Sequence, residues 1–248
     1  MKTIIEALNA DARVSGYKIN MHQKESYELF FVKGKLETLR RTDTCDKEVT
    51  VYADHGEYKG DAQFYVYPST TAEQLKALIA EAVDKALLID NQAYTLPAGE
   101  TGDYAVPSNF ADYAPEDLAA KIAQGVFGAN DIAHAALNSV EIFVNKHTET
   151  VCNSCGLLKT QLRYDAMVEA IPTYNGEKQS VELYEQYNFG SYDAEALVRE
   201  IAGKLSEVKA RYEAVKPETA IDCPVVLGCQ ELAQLFMEIA WDLNYSAV

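Results

Sequence analysis

The chain has 248 residues, 48% of them hydrophobic, enough apolar material for one large core or two small ones. A formal net charge of −16 repels phosphate backbones and anionic membrane surfaces, so no nucleic-acid or membrane partner is expected. No apolar run reaches the ~20 residues of a membrane span. The five scattered cysteines, Cys45, Cys152, Cys155, Cys223 and Cys229, do not form a secreted disulfide framework.

The N-terminal residues read as a short amphipathic helix, because Glu6, Asn9 and Asp11 interrupt its apolar positions too early for a signal-peptide core. A cytoplasmic protein with reduced thiols is the expectation. Strands follow at 26–33, 36–42, 47–53 and 60–67. They are separated by turn signals at Lys33-Gly34-Lys35 and Asp54-His55-Gly56-Glu57. Thr71 is placed to cap a helix over 72–89 whose Leu75, Leu78, Ile79, Ala82, Val83, Ala86 and Leu87 share one stripe. Residues 91–114 read as a long irregular connection packed over the surface through Tyr94, Tyr104, Phe110 and Tyr113. A helix with Pro115 in its first turn follows. Strands are then expected at 140–145, 148–152, 157–170 and 180–189. A helix capped by Asp193, a linker at 216–219, a short buried strand at 224–228 and a helix over 230–241 complete the chain.

Two stretches read as one unit written twice, over about 22–90 and 139–215. Ser26-Tyr27-Glu28-Leu29-Phe30 corresponds to Ser139-Val140-Glu141-Ile142-Phe143, and the helix from Ala72 to the helix from Ala194. The expected fold is α+β, with two related units of mainly antiparallel sheet backed by a long helix and a C-terminal strand-helix tail.

Several motifs in this order resemble the N-terminal domain of the TldD/PmbA family, the putative modulators of DNA gyrase associated with metallopeptidase activity. Glu28-Leu29-Phe30-Phe31 with Leu36-Glu37-Thr38 is similar to the family's opening hairpin. Val49-Thr50-Val51-Tyr52 with Gly56 and Gly60 is similar to its V-x-V-Y strand and turn. Asn153-Ser154 with Gly156 is similar to its N-S-x-G turn, and Pro224-Val225-Val226-Leu227 to the strand entering its C-terminal domain. The resemblance implies an N-terminal domain over 1–216 and the start of a C-terminal domain over 217–248. Active members hold zinc on an H-E-x-x-x-H helix. Here Glu238 stands at the general-base position, while Met237 and Asp242 replace the two histidines. The implied protein therefore carries no cofactor of its own. It is a zinc-free subunit or fragment of a peptide-processing assembly, acting in dimerisation and polypeptide positioning. Its implied partners are a second copy or a related zinc-bearing subunit, and an unfolded polypeptide.

Two enzymatic or metal-binding alternatives stand beside this. One is a zinc metallopeptidase with unrecognised ligands. The other is a thiol redox or zinc module at Cys152-Asn153-Ser154-Cys155, whose position in a turn between strands favours incidental thiols. His22, His55, His134 and His147 share no metal-ligand spacing. Lys33, Lys35, Arg40 and Arg41 form the only basic cluster, placed to guard a sheet edge or steer an acidic ligand. Tyrosines on or beside the strands suit half-buried sheet faces, and an available sheet edge suits an added peptide strand.

Overall fold

A computed structural model describes residues 1–129 and 131–244. The chain divides into two units, Met1–Tyr212 and the residues from Glu213 onward.

The first unit opens with α1 (Lys2–Ala10), β1 (Gly16–Val32), β2 (Lys35–His55), β3 (Tyr58–Tyr65) and α2 (Ala72–Ala86). It continues through β4 (Thr101–Ala105) and a short 3-10 turn at Asn109–Asp112 to α3 (Pro115–Gly128). Then come β5 (Ala135–Asn153), β6 (Leu158–Asn175), β7 (Ser180–Glu182), β8 (Glu185–Phe189) and α4 (Ala194–Glu213). The strands form one curled sheet in the order β3-β2-β1-β5-β6-β4, with β7 and β8 also pairing β6. Every pairing is antiparallel except β4 on β6.

The long strands run unbroken where breaks were expected. Residues 16–25 belong to β1, 43–46 to β2 and 146–147 to β5. In these stretches Asn, Asp, Lys and Thr blur the apolar alternation. Residues 18–25 of β1 and 146–147 of β5 nevertheless have ladder partners on both sides and 43–46 of β2 pair β1 on one side, and paired backbone groups sustain a strand whatever its side chains prefer. Positive φ at Lys33 and Gly34 closes the β1–β2 hairpin in two residues, the geometry that matches strand twist. Residues 91–114 contain β4 and the 3-10 turn, which seats Phe110 in the core at 2% exposure.

One face of the sheet carries both core clusters. Near the first hairpin, Ile19, Val49 and Val51 pack with Ile4 and Leu8 of α1 and with Leu75, Ile79 and Val83 of α2. Near the second, Val140, Ile142 and Val168 pack with Leu118, Ile122 and Val126 of α3 and with Leu197, Ile201 and Leu205 of α4. Each such side chain stabilises by about 1.5–3 kcal/mol. Thr71 caps α2 in a full capping box: its hydroxyl accepts from the Gln74 N–H, and its own N–H donates to the Gln74 side chain. The Asp193 carboxylate accepts from the Ala196 N–H at the start of α4.

The stretches matched as repeats, 26–30 and 139–143, lie side by side in the sheet, with Leu29 opposite Ile142, Glu28 opposite Phe143 and Phe30 opposite Glu141. The first half runs helix, two long strands, one short strand, helix, and the second runs helix, two long strands, two short strands, helix.

In the second unit, α5 (Cys229–Asp242) forms as expected. Residues 224–228 do not form a strand and Val225 and Val226 are exposed, since the described residues of the unit offer no partner strand for their backbone groups.

Gly60 on β3 admits the last turn of α2. A Cβ there would stand 1.7 Å from the Ala86 carbonyl oxygen, a backbone atom that cannot step aside. Gly60→Ala is expected to destabilise by about 2–3 kcal/mol, measured as a lower denaturation midpoint with an unchanged slope; a midpoint within error of the parent would refute this close packing.

Candidate functional site

Strand alternation sorts the central strands into an apolar face under the helices and a polar face turned away from α1–α4. The polar face carries Asn20, His22, Lys24, Ser26 and Glu28 from β1, Asn145, His147 and Glu149 from β5, and Gln161, Arg163 and Asp165 from β6. The register sets Lys24 opposite His147, His147 opposite Arg163, and Asn145 opposite Asp165. Three of these polar groups are buried: Ser26, Asn145 and His147.

At the centre, His22 and His147 meet. Nε2 of His22 lies 3.0 Å from Nδ1 of His147, and the rings stack with centroids 5.2 Å apart. Beyond His147, an Asp165 carboxylate oxygen stands 2.8 Å from Nε2. It lies off the ring N–H direction, so Nε2 has no hydrogen-bond partner and the contact is electrostatic. Asp165 is held by the Asn145 amide, which donates at 2.7 Å, and by Arg163, which donates at 2.7 Å. A proton on Nε2 of His147 leaves its Nδ1 free to accept from His22. In that tautomer each ring keeps its own proton, His22 Nε2–H donates to His147 Nδ1, and Asp165 acts on Nε2 through charge alone.

Burial pushes the His147 pKa below the ordinary imidazole value. Asp165 opposes that shift, and Arg163, His22 and Lys24 reinforce it. His22 and Glu149 also line a cleft of about 760 Å³ on this face, together with Asn20, Lys159, Gln161 and Tyr104. Its mixed polar and apolar lining, with Met21 and Val151 among the polar side chains, suits a peptide-like ligand.

Sequence reading missed the histidine pair. His22 and His147 are 125 positions apart and show no motif spacing. His22 fell before the first expected strand, and His147 in an expected break between strands. The signal available was strand length: had both strands been extended, parity would have put both rings on one face.

The residues singled out from the sequence sit elsewhere. Met237, Glu238 and Asp242 lie on α5 in the second unit. Glu238 and Asp242, four apart, share a helix side. A thioether and two carboxylates are a poor donor set for zinc. Cys152 is buried on the helix-covered face, its sulfur 3.6 Å from that of Met1, and burial pushes its thiol pKa up. A reactive thiol needs the opposite shift. Cys155 is exposed in the following turn. His147 points to the other sheet face from Cys152, so the structure does not join them. Among the described residues, no group of three or more His, Cys, Asp or Glu side chains could hold a metal ion. No described helix is long and apolar enough to cross a membrane.

His147 generates a pH prediction. Its folded pKa lies below the unfolded value of about 6.5, so the unfolded chain takes up the proton first as pH falls. Stability is therefore lost on acidification through about pH 6.5. The thermal midpoint should fall more between pH 7 and 5.5 in the parent than in His147→Gln; parallel slopes would reject the buried neutral imidazole.

No protein-family model matches this sequence, and no curated protein matches it. Solved structures do match its fold. TldE from Thermococcus kodakarensis is 15% identical with a TM-score of 0.59, covering 83% of this chain and 47% of that one. A proposed modulator of DNA gyrase from Thermotoga maritima is 14% identical with a TM-score of 0.58, over 83% and 47%. A second, from Bacteroides thetaiotaomicron, is 12% identical with a TM-score of 0.60, over 83% and 49%. The TldD/PmbA resemblance carried by the motifs thus has its counterpart in the fold, and this chain spans about half the length of those structures.

Proposed function

We propose that this chain is a non-catalytic, TldD/PmbA-type subunit or fragment of a metallopeptidase-related, peptide-processing assembly in the cytoplasm. It acts in dimerisation and polypeptide positioning. The observation that carries this reading is the fold match to TldE over 83% of the chain. The partner is a second copy or a related zinc-bearing subunit, which would supply the hydrolytic chemistry. Residues 1–216 form the N-terminal domain in this reading, and 217–248 begin a C-terminal one. The polar face with its cleft supports the positioning role, since it leaves sheet surface and backbone edge open to a polypeptide.

The two halves are, in the same reading, one unit used twice. A shift that carries Val32 onto Asn153 carries β2 (Lys35–His55) onto residues 156–176, which contain β6, and carries Ala72 at the start of α2 onto Asp193 at the cap of α4. This register differs by several residues from the match between 26–30 and 139–143. Hairpin turns and helix starts support it.

Co-expression with a zinc-bearing TldD-type subunit is the direct test. The expected result is one co-eluting complex that cleaves an unfolded polypeptide, with this chain inactive alone. Separate elution of both chains would refute the pairing, and chelator-sensitive hydrolysis by this chain alone would replace it with the metallopeptidase reading.

A further inference from the structure

The first hairpin leaves a sheet edge open. β3 pairs only with Glu48–His55 of β2, so among the described residues Lys35–Lys47 has β1 on one side and no strand on the other. The Val66 N–H donates to the Lys47 carbonyl at 2.9 Å, which fixes the alternation. Cys45, Asp43, Arg41 and Leu39 therefore turn their backbone N–H and C=O groups outward. The β1–β2 register slips at Glu37, where the regular outward row ends.

The second half shows what such an edge accepts. Under the shift that relates the two halves, Glu37–Arg41 corresponds to Leu158–Leu162. There β4 lies on β6 as a parallel strand. The Leu158 N–H donates to the Glu100 carbonyl at 2.9 Å, and the Val106 N–H to the Leu162 carbonyl at 2.8 Å. All five residues of β4 are exposed, so backbone pairing and charge hold it rather than burial. It brings two acids, Glu100 and Asp103, and no base. Lys159 of β6 binds Glu100 at 2.6 Å.

The vacant counterpart has the matching sign. In a chain of net charge −16, the tip of the first hairpin gathers Lys33, Lys35, Arg40 and Arg41 against two acids, Glu37 and Glu28, the second already paired to Arg40. A second copy of the same edge fits poorly. Antiparallel pairing centred on Arg41 sets Arg41 against Arg41 and Lys35 against Lys47. The register centred on Thr42 drives Glu37 into the place Val66 holds at Lys47.

We propose that the Glu37–Arg41 edge of β2 takes an acidic, extended segment of a partner polypeptide as an added parallel strand, as β4 does on β6. This names the polypeptide class that the positioning role would serve, and it rests on that reading for the relation between the two halves.

The test uses the full chain alone, so failure to pair with a peptidase subunit leaves it unaffected. The probe is a labelled peptide copying residues 98–105, Ala-Gly-Glu-Thr-Gly-Asp-Tyr-Ala, followed by fluorescence anisotropy. Saturable binding is expected, with no binding of a peptide carrying Lys at both acidic positions. Leu39→Pro removes an outward N–H and no bond to β1, so the fold should survive while binding falls at least ~10-fold. Arg41→Glu should weaken it by about 3- to 5-fold, and Thr160→Pro on β6 should leave it unchanged. Absence of saturable binding to the parent, or equal binding by all variants, overturns the proposal. Loss confined to Thr160→Pro overturns it in favour of exchange with β4. A parent dimer that Leu39→Pro converts to monomer, with no peptide bound, assigns the edge to a second copy instead.

Discussion

The structure of the first unit depends on the ladder between β1 and β5, which runs from Lys18 opposite Asn153 to Val32 opposite Ser139. Neither half could complete its sheet without it. Each hairpin buries one face under its own pair of helices, but a two- or three-stranded sheet is marginal in isolation. The ladder satisfies the inner backbone edges of both hairpins together. It also joins the cores: Leu29 of β1 packs in the cluster under α3 and α4, and Cys152 of β5 packs in the cluster under α1 and α2.

The same ladder creates the polar face. Because all four helices of the unit cover one side, the opposite side of the two central strands must be solvated or satisfied by its own side chains. Curling crowds those side chains together, and the result is a buried imidazole at His147 held among His22, Asp165, Arg163 and Lys24. A buried, neutral histidine with an unbonded ring nitrogen costs stability. Its partner His22 lines the cleft, which makes the polar face the most chemically specific surface of the unit. The ladder also fixes the asymmetry of the edges. β6 is capped by β4, β7 and β8 along most of its length, while the distal part of β2 remains open.

Much of this was legible in the residues. The stripes in 72–86 and 194–213, the caps Thr71 and Asp193, and Pro115 at a first turn marked three helices within a few positions. Hairpin turns at Gly34 and near Gly156 followed from glycine itself, whose positive φ other residues resist. The illegible parts were those in which partners override local preference. Polar runs such as 16–25 and 43–46 have no strand signature, and β4 has no apolar alternation at all. Residues 224–228 carried a strand composition without a partner strand among the described residues.

Residue order alone determined the α+β class, the acidic, helix-capped character of the chain and the family resemblance, because capping, apolar periodicity and turn glycines act over a few neighbouring positions. Only the tertiary structure decided which strands are adjacent. It brought His22 to His147 across 125 positions, turned Cys152 away from His147, seated β4 on β6 and, among the described residues, left Lys35–Lys47 of β2 with a strand on one side alone. Those outcomes depend on long-range ladder pairing, in which the free energy of satisfying backbone groups and burying one face is shared by residues that carry no local mark of their partners.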